Sequence, residues 1–109
     1  MKKSLMLVIA LFCGLAISAQ AQVWQKPVVK NCELKAGEQC NVEAVCPNSH
    51  PIAISGGGGM PKAMPANNQV AMTMNLPVAS NTWRVRWKNL STTESAKIKV
   101  VVKVLCTKK

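Results

Sequence analysis

Downstream of residue 21 the chain alternates apolar and polar side chains with period two, the pattern of half-buried strands and not of amphipathic helices. The last segment is the clearest. Ile98, Val100, Val102, Val104 and Cys106 fall on one face, and Lys97, Lys99 and Lys103 on the other. Trp83, Val85 and Trp87 alternate with Arg84, Arg86 and Lys88, and Val70, Met72, Met74 and Leu76 alternate up to Pro77. Val28 to Cys32, Gln39 to Cys46 and Ile52 to Ile54 supply three more short runs. The expected fold is all-β, a compact antiparallel sandwich or partly open barrel of about six strands. Met72 and Met74 are expected to fill the core beside Val70 and Leu76, and the tryptophans to be buried. Residues 56–68, rich in Gly, Met and Pro, form the longest irregular piece and the expected mobile loop.

The first residues follow a different pattern. Lys2 and Lys3 precede an uncharged apolar run from Leu5 to Ile17, and Ala19-Gln20-Ala21 has the small residues of a signal-peptidase site. About 13 apolar residues are too few to span roughly 30 Å of hydrocarbon, which sets this segment apart from a membrane anchor. The reading is a cleaved signal peptide over residues 1–21 and one domain over residues 22–109, delivered to the periplasm or the exterior. Cys13 belongs to the discarded run.

Four cysteines remain, Cys32, Cys40, Cys46 and Cys106, and an even count in an exported chain reads as a disulfide framework with three possible connectivities. Cys32 and Cys40 flank Lys35-Ala36-Gly37. A three-residue hairpin loop favours a left-handed residue at its last position, which Gly37 supplies without a Cβ penalty. That register opposes Cys32 to Cys40 and predicts their bridge. Cys46 and Cys106 are then paired; each ends an apolar face. On the chain-entropy model the shorter loop contributes roughly 2.5 kcal/mol and the longer roughly 4 kcal/mol.

From Cys46 onward the residues resemble a recurring small exported bacterial β-module, mostly without assigned activity. Its pattern is a Cys-Pro pair, a short strand into a glycine cluster, a later Pro, a Trp-containing strand ending in Asn, and a valine-rich strand closing on Cys. Here these are Cys46-Pro47, Ile52 to Ile54, Gly56 to Gly59, Pro77, Trp83 to Asn89, and Val100 to Cys106. The resemblance implies the same outer bridge and an exported or surface-associated setting. The first cysteine pair and the methionines around the glycines lie outside that pattern.

Charge adds a partner class. The chain carries a net +10, of which Lys2 and Lys3 account for two, leaving +8 on the mature domain against only Glu33, Glu38, Glu43 and Glu94. Such a surface attracts polyanions: lipopolysaccharide, teichoic acids, extracellular DNA or acidic polysaccharide. Pairing Trp83–Lys88 with Lys97–Val102 across the polar loop would place Arg84, Arg86 and Lys88 beside Lys97 and Lys99, with Lys103 continuing the row. Like charges opposed across strands are unfavourable, and a bound anion would relieve them.

Catalytic parts are scarce. His50 is the only histidine, there is no Asp to orient it, three of the four Glu (Glu33, Glu38 and Glu43) belong to the first expected hairpin, and oxidised cysteines offer no thiolate. The glycine run lacks the Lys-Ser/Thr and helix of a phosphate loop, and is read instead as a bulge or as backbone packed under a tryptophan ring. The expectation is a non-catalytic, cofactor-free binding module for anionic envelope or extracellular polymers. The alternative is a structural or protein-interaction module displaying residues 56–68. A minor alternative is Cu(I) binding by Met60, Met64 and His50, since soft thioethers favour that ion.

Overall fold

The computed structural model describes residues 21–109, and every regular element in them is a strand: β1 (Gln22–Trp24), β2 (Val28–Leu34), β3 (Gln39–Val45), β4 (Ile52–Gly59), β5 (Val70–Ala79), β6 (Thr82–Asn89) and β7 (Ala96–Thr107). The leader expected at residues 1–21 falls outside the described residues except for Ala21. β7 has the strictest alternation and becomes the central strand of sheet 1. β1 and β2 pair antiparallel along one of its edges and β4 along the other, so that Val101 and Val102 have partners on both sides. Sheet 2 has the order β3-β6-β5, also antiparallel. No ladder joins the two sheets, and the fold is a sandwich, not a closed barrel.

The core lies where the apolar rows meet. Ile98, Val100, Val102 and Val104 of β7 face Val42 and Ala44 of β3 and Val85 and Trp87 of β6, all buried. The glycine run extends β4 and belongs to the sheet, so the irregular connection is shorter than expected and begins at Met60. Packing explains half of that run. A Cβ on Gly56 would stand 2.5 Å from Cγ and Cδ2 of Trp83, and one on Gly58 would stand 2.9 Å from Cη2 of Trp87. The backbone does lie under tryptophan rings.

Both expected disulfides are present, Cys32–Cys40 with Cα atoms 6.4 Å apart and Cys46–Cys106 with Cα atoms 5.8 Å apart. Their setting differs from the hairpin anticipated for the first. β2 pairs with β7 and β3 with β6, so the Lys35–Glu38 turn is an arch that carries the chain from one sheet to the other. Gly37 sits at φ +78°, as the turn requires, and the Glu38 N–H donates to the Lys35 carbonyl at 3.0 Å. Each bridge therefore fastens sheet 1 to sheet 2.

Two further expectations are corrected. β6 and β7 do not pair; the edges of β6 are taken by β3 and β5, and the Leu90–Ser95 connection is a second arch. Their apolar rows meet face to face across the sandwich, an arrangement that satisfies period-two alternation as well as side-by-side pairing does. In β5 the register shifts between Met72 and Met74 and again between Pro77 and Ala79. An extra residue in one strand moves every following side chain to the other face. Met74 and Leu76 consequently stand opposite Arg86 and Arg84 on the outer row, and Met72 is 40% exposed on its edge strand. The methionines packed against the core are Met60 and Met64, the two expected to be free.

Candidate anion-binding face

The six basic residues expected in one row are divided between the two outer faces of the sandwich. On sheet 2, β6 places Arg84, Arg86 and Lys88 opposite Glu43, Asn41 and Gln39 of β3. Nε of Arg84 donates to Oε1 of Glu43 at 2.8 Å, with Nη2 on the same oxygen, and Nε of Arg86 donates to Oδ1 of Asn41 at 2.7 Å. The arginines are thus engaged by acceptors from the neighbouring strand. The like-charge repulsion expected along this row does not arise, because each cation faces a carboxylate or an amide.

On sheet 1, Lys97, Lys99 and Lys103 alternate with buried Ile98, Val100, Val102 and Val104, which places the three on the outer row of β7. Residues two apart on a strand are about 6.7 Å apart, so this row extends over roughly 20 Å. Glu33 stands opposite Lys97 and Asn31 opposite Lys99. The Lys97–Glu33 pair is 3.7 Å long with side chains 82% and 77% exposed, a contact screened by solvent that holds neither group firmly. Lys99 and Lys103 make no ion pair among the described residues.

The Met60–Asn68 connection adds a fourth cation. Lys62, with Ala63 and Met64, faces Lys97 and Lys99 across a pocket of about 540 Å³ completed by Asn31 and Glu33. Met64 is anchored against the core, which holds this segment beside the row. Further along β7, Lys103 and Val101 line a second groove of about 440 Å³ with Trp24 and the glycines of β4. The lysine row thus runs past two adjacent depressions on one face.

Sequence reasoning missed Lys62 and Trp24. Lys62 lies in a segment without periodicity, where no residue can be assigned to a face. Trp24 was expected in the core but is 57% exposed, because the three-residue β1 pairs it with Leu105 on the outer row of β7. Its position just before Pro27, with no alternating neighbours, was the available signal.

The copper candidates are not brought together. His50 closes a turn at the start of β4, with its N–H donating to the Pro47 carbonyl at 3.0 Å, whereas Met60 follows the far end of that strand. Eight extended residues separate them by more than about 20 Å. Among the described residues no group of three His, Cys, Asp or Glu side chains could hold a metal ion, and no helix is long and apolar enough to cross a membrane.

Fold and face together define a disulfide-stapled two-sheet β-domain with a lysine row and an exposed tryptophan on one outer surface. No family model, curated protein or solved structure matches the chain.

Proposed function

We propose that the domain is a non-catalytic module, exported by its leader and working in the periplasm or outside the cell, that binds anionic polymers through the outer face of sheet 1. The observation carrying this reading is the convergence of Lys62, Lys97, Lys99 and Lys103 on one face, where Glu33 is the carboxylate opposite Lys97. Four cations along roughly 20 Å suit a repeating anion better than a single small one, since each repeat adds a weak charge contact of the same kind. Lysine ammonium groups act as mobile point charges, which tolerates irregular spacing in the ligand. The arginines of sheet 2 contribute to long-range attraction but are spoken for locally by Glu43 and Asn41. Display of residues 56–68 to a protein partner is the weaker reading: Gly56–Gly59 belong to β4, and Met60 and Met64 pack inward.

Retention on immobilised heparin tests the assignment. The wild-type domain is expected to bind at low ionic strength and to elute at moderate salt, as exposed charges separated by more than about 8–10 Å become screened. Changing Lys62, Lys97, Lys99 and Lys103 to Gln should abolish retention, while Arg84, Arg86 and Lys88 changed to Gln should lower it only modestly. Equal loss in the two variants would reduce the effect to net charge and sink the assignment to this face.

A further inference from the structure

The three tryptophans have unlike surroundings. Trp83 and Trp87 are laid over Gly56 and Gly58, while Trp24 presents its ring to solvent on the outer side of sheet 1. It walls a groove of about 440 Å³ whose floor is the backbone of β4, with Val101 and Lys103 of β7 standing between that backbone and Trp24. The groove is open because Gly57 and Gly59 have no side chains. Neither glycine is required by the fold: a Cβ at either position would meet nothing within 4 Å, and neither has a positive φ. Glycine inside a strand weakens it by about 0.5–1 kcal/mol relative to alanine, so two that packing does not demand mark a surface kept clear for a ligand.

We infer that this groove receives a sugar ring of an acidic polysaccharide, an inference that rests on the polyanion reading and narrows it to one chemical class. A pyranose presents a face of C–H groups, which stacks on the indole of Trp24, and a rim of hydroxyls. β4 pairs with β7 alone, and the peptide groups on the unpaired edge of the glycine run lie at the end of the groove farthest from Trp24, where only a ring unit extending across the glycines would reach them. Lys103 stands on the groove wall to meet a ring carboxylate or sulfate, and Lys99 and Lys97 follow along β7 for the next anionic units. Single-stranded nucleic acid is the competing ligand, and it is disfavoured: sequence-tolerant binding of that kind stacks successive bases on several aromatic platforms. Here the described residues offer one exposed ring, and the arginines suited to bidentate phosphate contacts are on the other sheet.

The test titrates the mature domain with oligogalacturonate, neutral cello-oligosaccharide, inorganic polyphosphate and oligothymidylate, reading affinity by calorimetry and the Trp24 indole N–H by NMR. Oligogalacturonate is expected to bind most tightly and to shift the Trp24 resonance. Trp24→Ala should weaken it about tenfold, as should Gly57→Val by filling the floor, while polyphosphate affinity changes less than about twofold in either variant. Trp24→Phe should restore part of the loss. Thermal unfolding of Gly57→Val should match or exceed wild type, which separates a blocked groove from a damaged fold. If heparin and polyphosphate are retained yet oligogalacturonate ignores both substitutions, the groove inference alone falls. Tryptophan-dependent binding of oligothymidylate in place of oligogalacturonate would also overturn it. If wild type retains neither heparin nor polyphosphate, the polyanion reading fails first and takes this one with it.

Discussion

Asn89 is the side chain on which both arches depend. Its Nδ2 donates toward the carbonyls of Leu34 at 3.1 Å, Lys35 at 3.3 Å and Glu94 at 2.8 Å, and its Oδ1 accepts from the Ser91 N–H at 3.1 Å. Its backbone exchanges hydrogen bonds with Glu38 and Gly37. The residue is 1% exposed, and its bonds to the Leu34 carbonyl and the Ser91 N–H are buried, so removing the amide leaves those two groups without their partner. Asn89→Ala is expected to cost about 2–4 kcal/mol, since it strands both buried backbone groups at once; urea denaturation measures it. The glycine run gives the contrasting case. Gly56→Ala and Gly58→Ala should cost about 1–3 kcal/mol by driving a methyl into Trp83 and Trp87, whereas Gly57→Ala and Gly59→Ala should be neutral or stabilising. A ring over a glycine backbone was legible in the sequence. Which glycines lie beneath the rings was not, because four identical residues carry no alternation; the register comes from β7, some forty residues away.

At the scale of elements, six of the seven strands and both bridges were readable, while β1 and the ladders were not. Alternation along Gln39–Cys46 or Trp83–Lys88 states which side chains face inward, and burial agrees in each. It is silent on whether the next strand lies alongside or across the interior. Cys32, Gly37 and Cys40 suit a hairpin and an arch equally, so the bridge was anticipated on the wrong pairing. The bulges of β5 defeated alternation outright, with Met72 and Met74 falling on different faces. The candidate site suffered most from this ambiguity, since placing Arg84 beside Lys97 required a β6–β7 ladder that does not exist. Because each disulfide spans the sheets, each should stabilise by closing its own loop. Cys32→Ala with Cys40→Ala is expected to cost about 2–3 kcal/mol and Cys46→Ala with Cys106→Ala about 4 kcal/mol. Denaturation midpoints of the two double variants should keep that order, and a reversed order would mean that the arch geometry, not loop length, dominates.

The whole molecule is two small sheets whose common interior is narrow, and four of its buried residues are the half-cystines themselves. A domain of this size buries too small a fraction of its surface to have stability to spare. The two loop-closure contributions together match the whole net stability of a typical small domain, about 5–10 kcal/mol. Cooperative folding should therefore depend on oxidation, in keeping with the exported setting proposed for the domain. Reduction of both bridges is expected to unfold the domain at room temperature. Trp87 reports this, being 1% exposed in the native state, so its fluorescence should shift to the red as the sheets part. Anion binding should disappear in the same transition, because the lysine row of β7 and Lys62 are held together only by the folded sheet and the Met64 anchor. A reduced protein with four free thiols, a sharp urea transition and undiminished heparin retention would show that the apolar interior suffices alone. That outcome would also return the cysteines to consideration as reactive groups, a role the oxidised fold denies them.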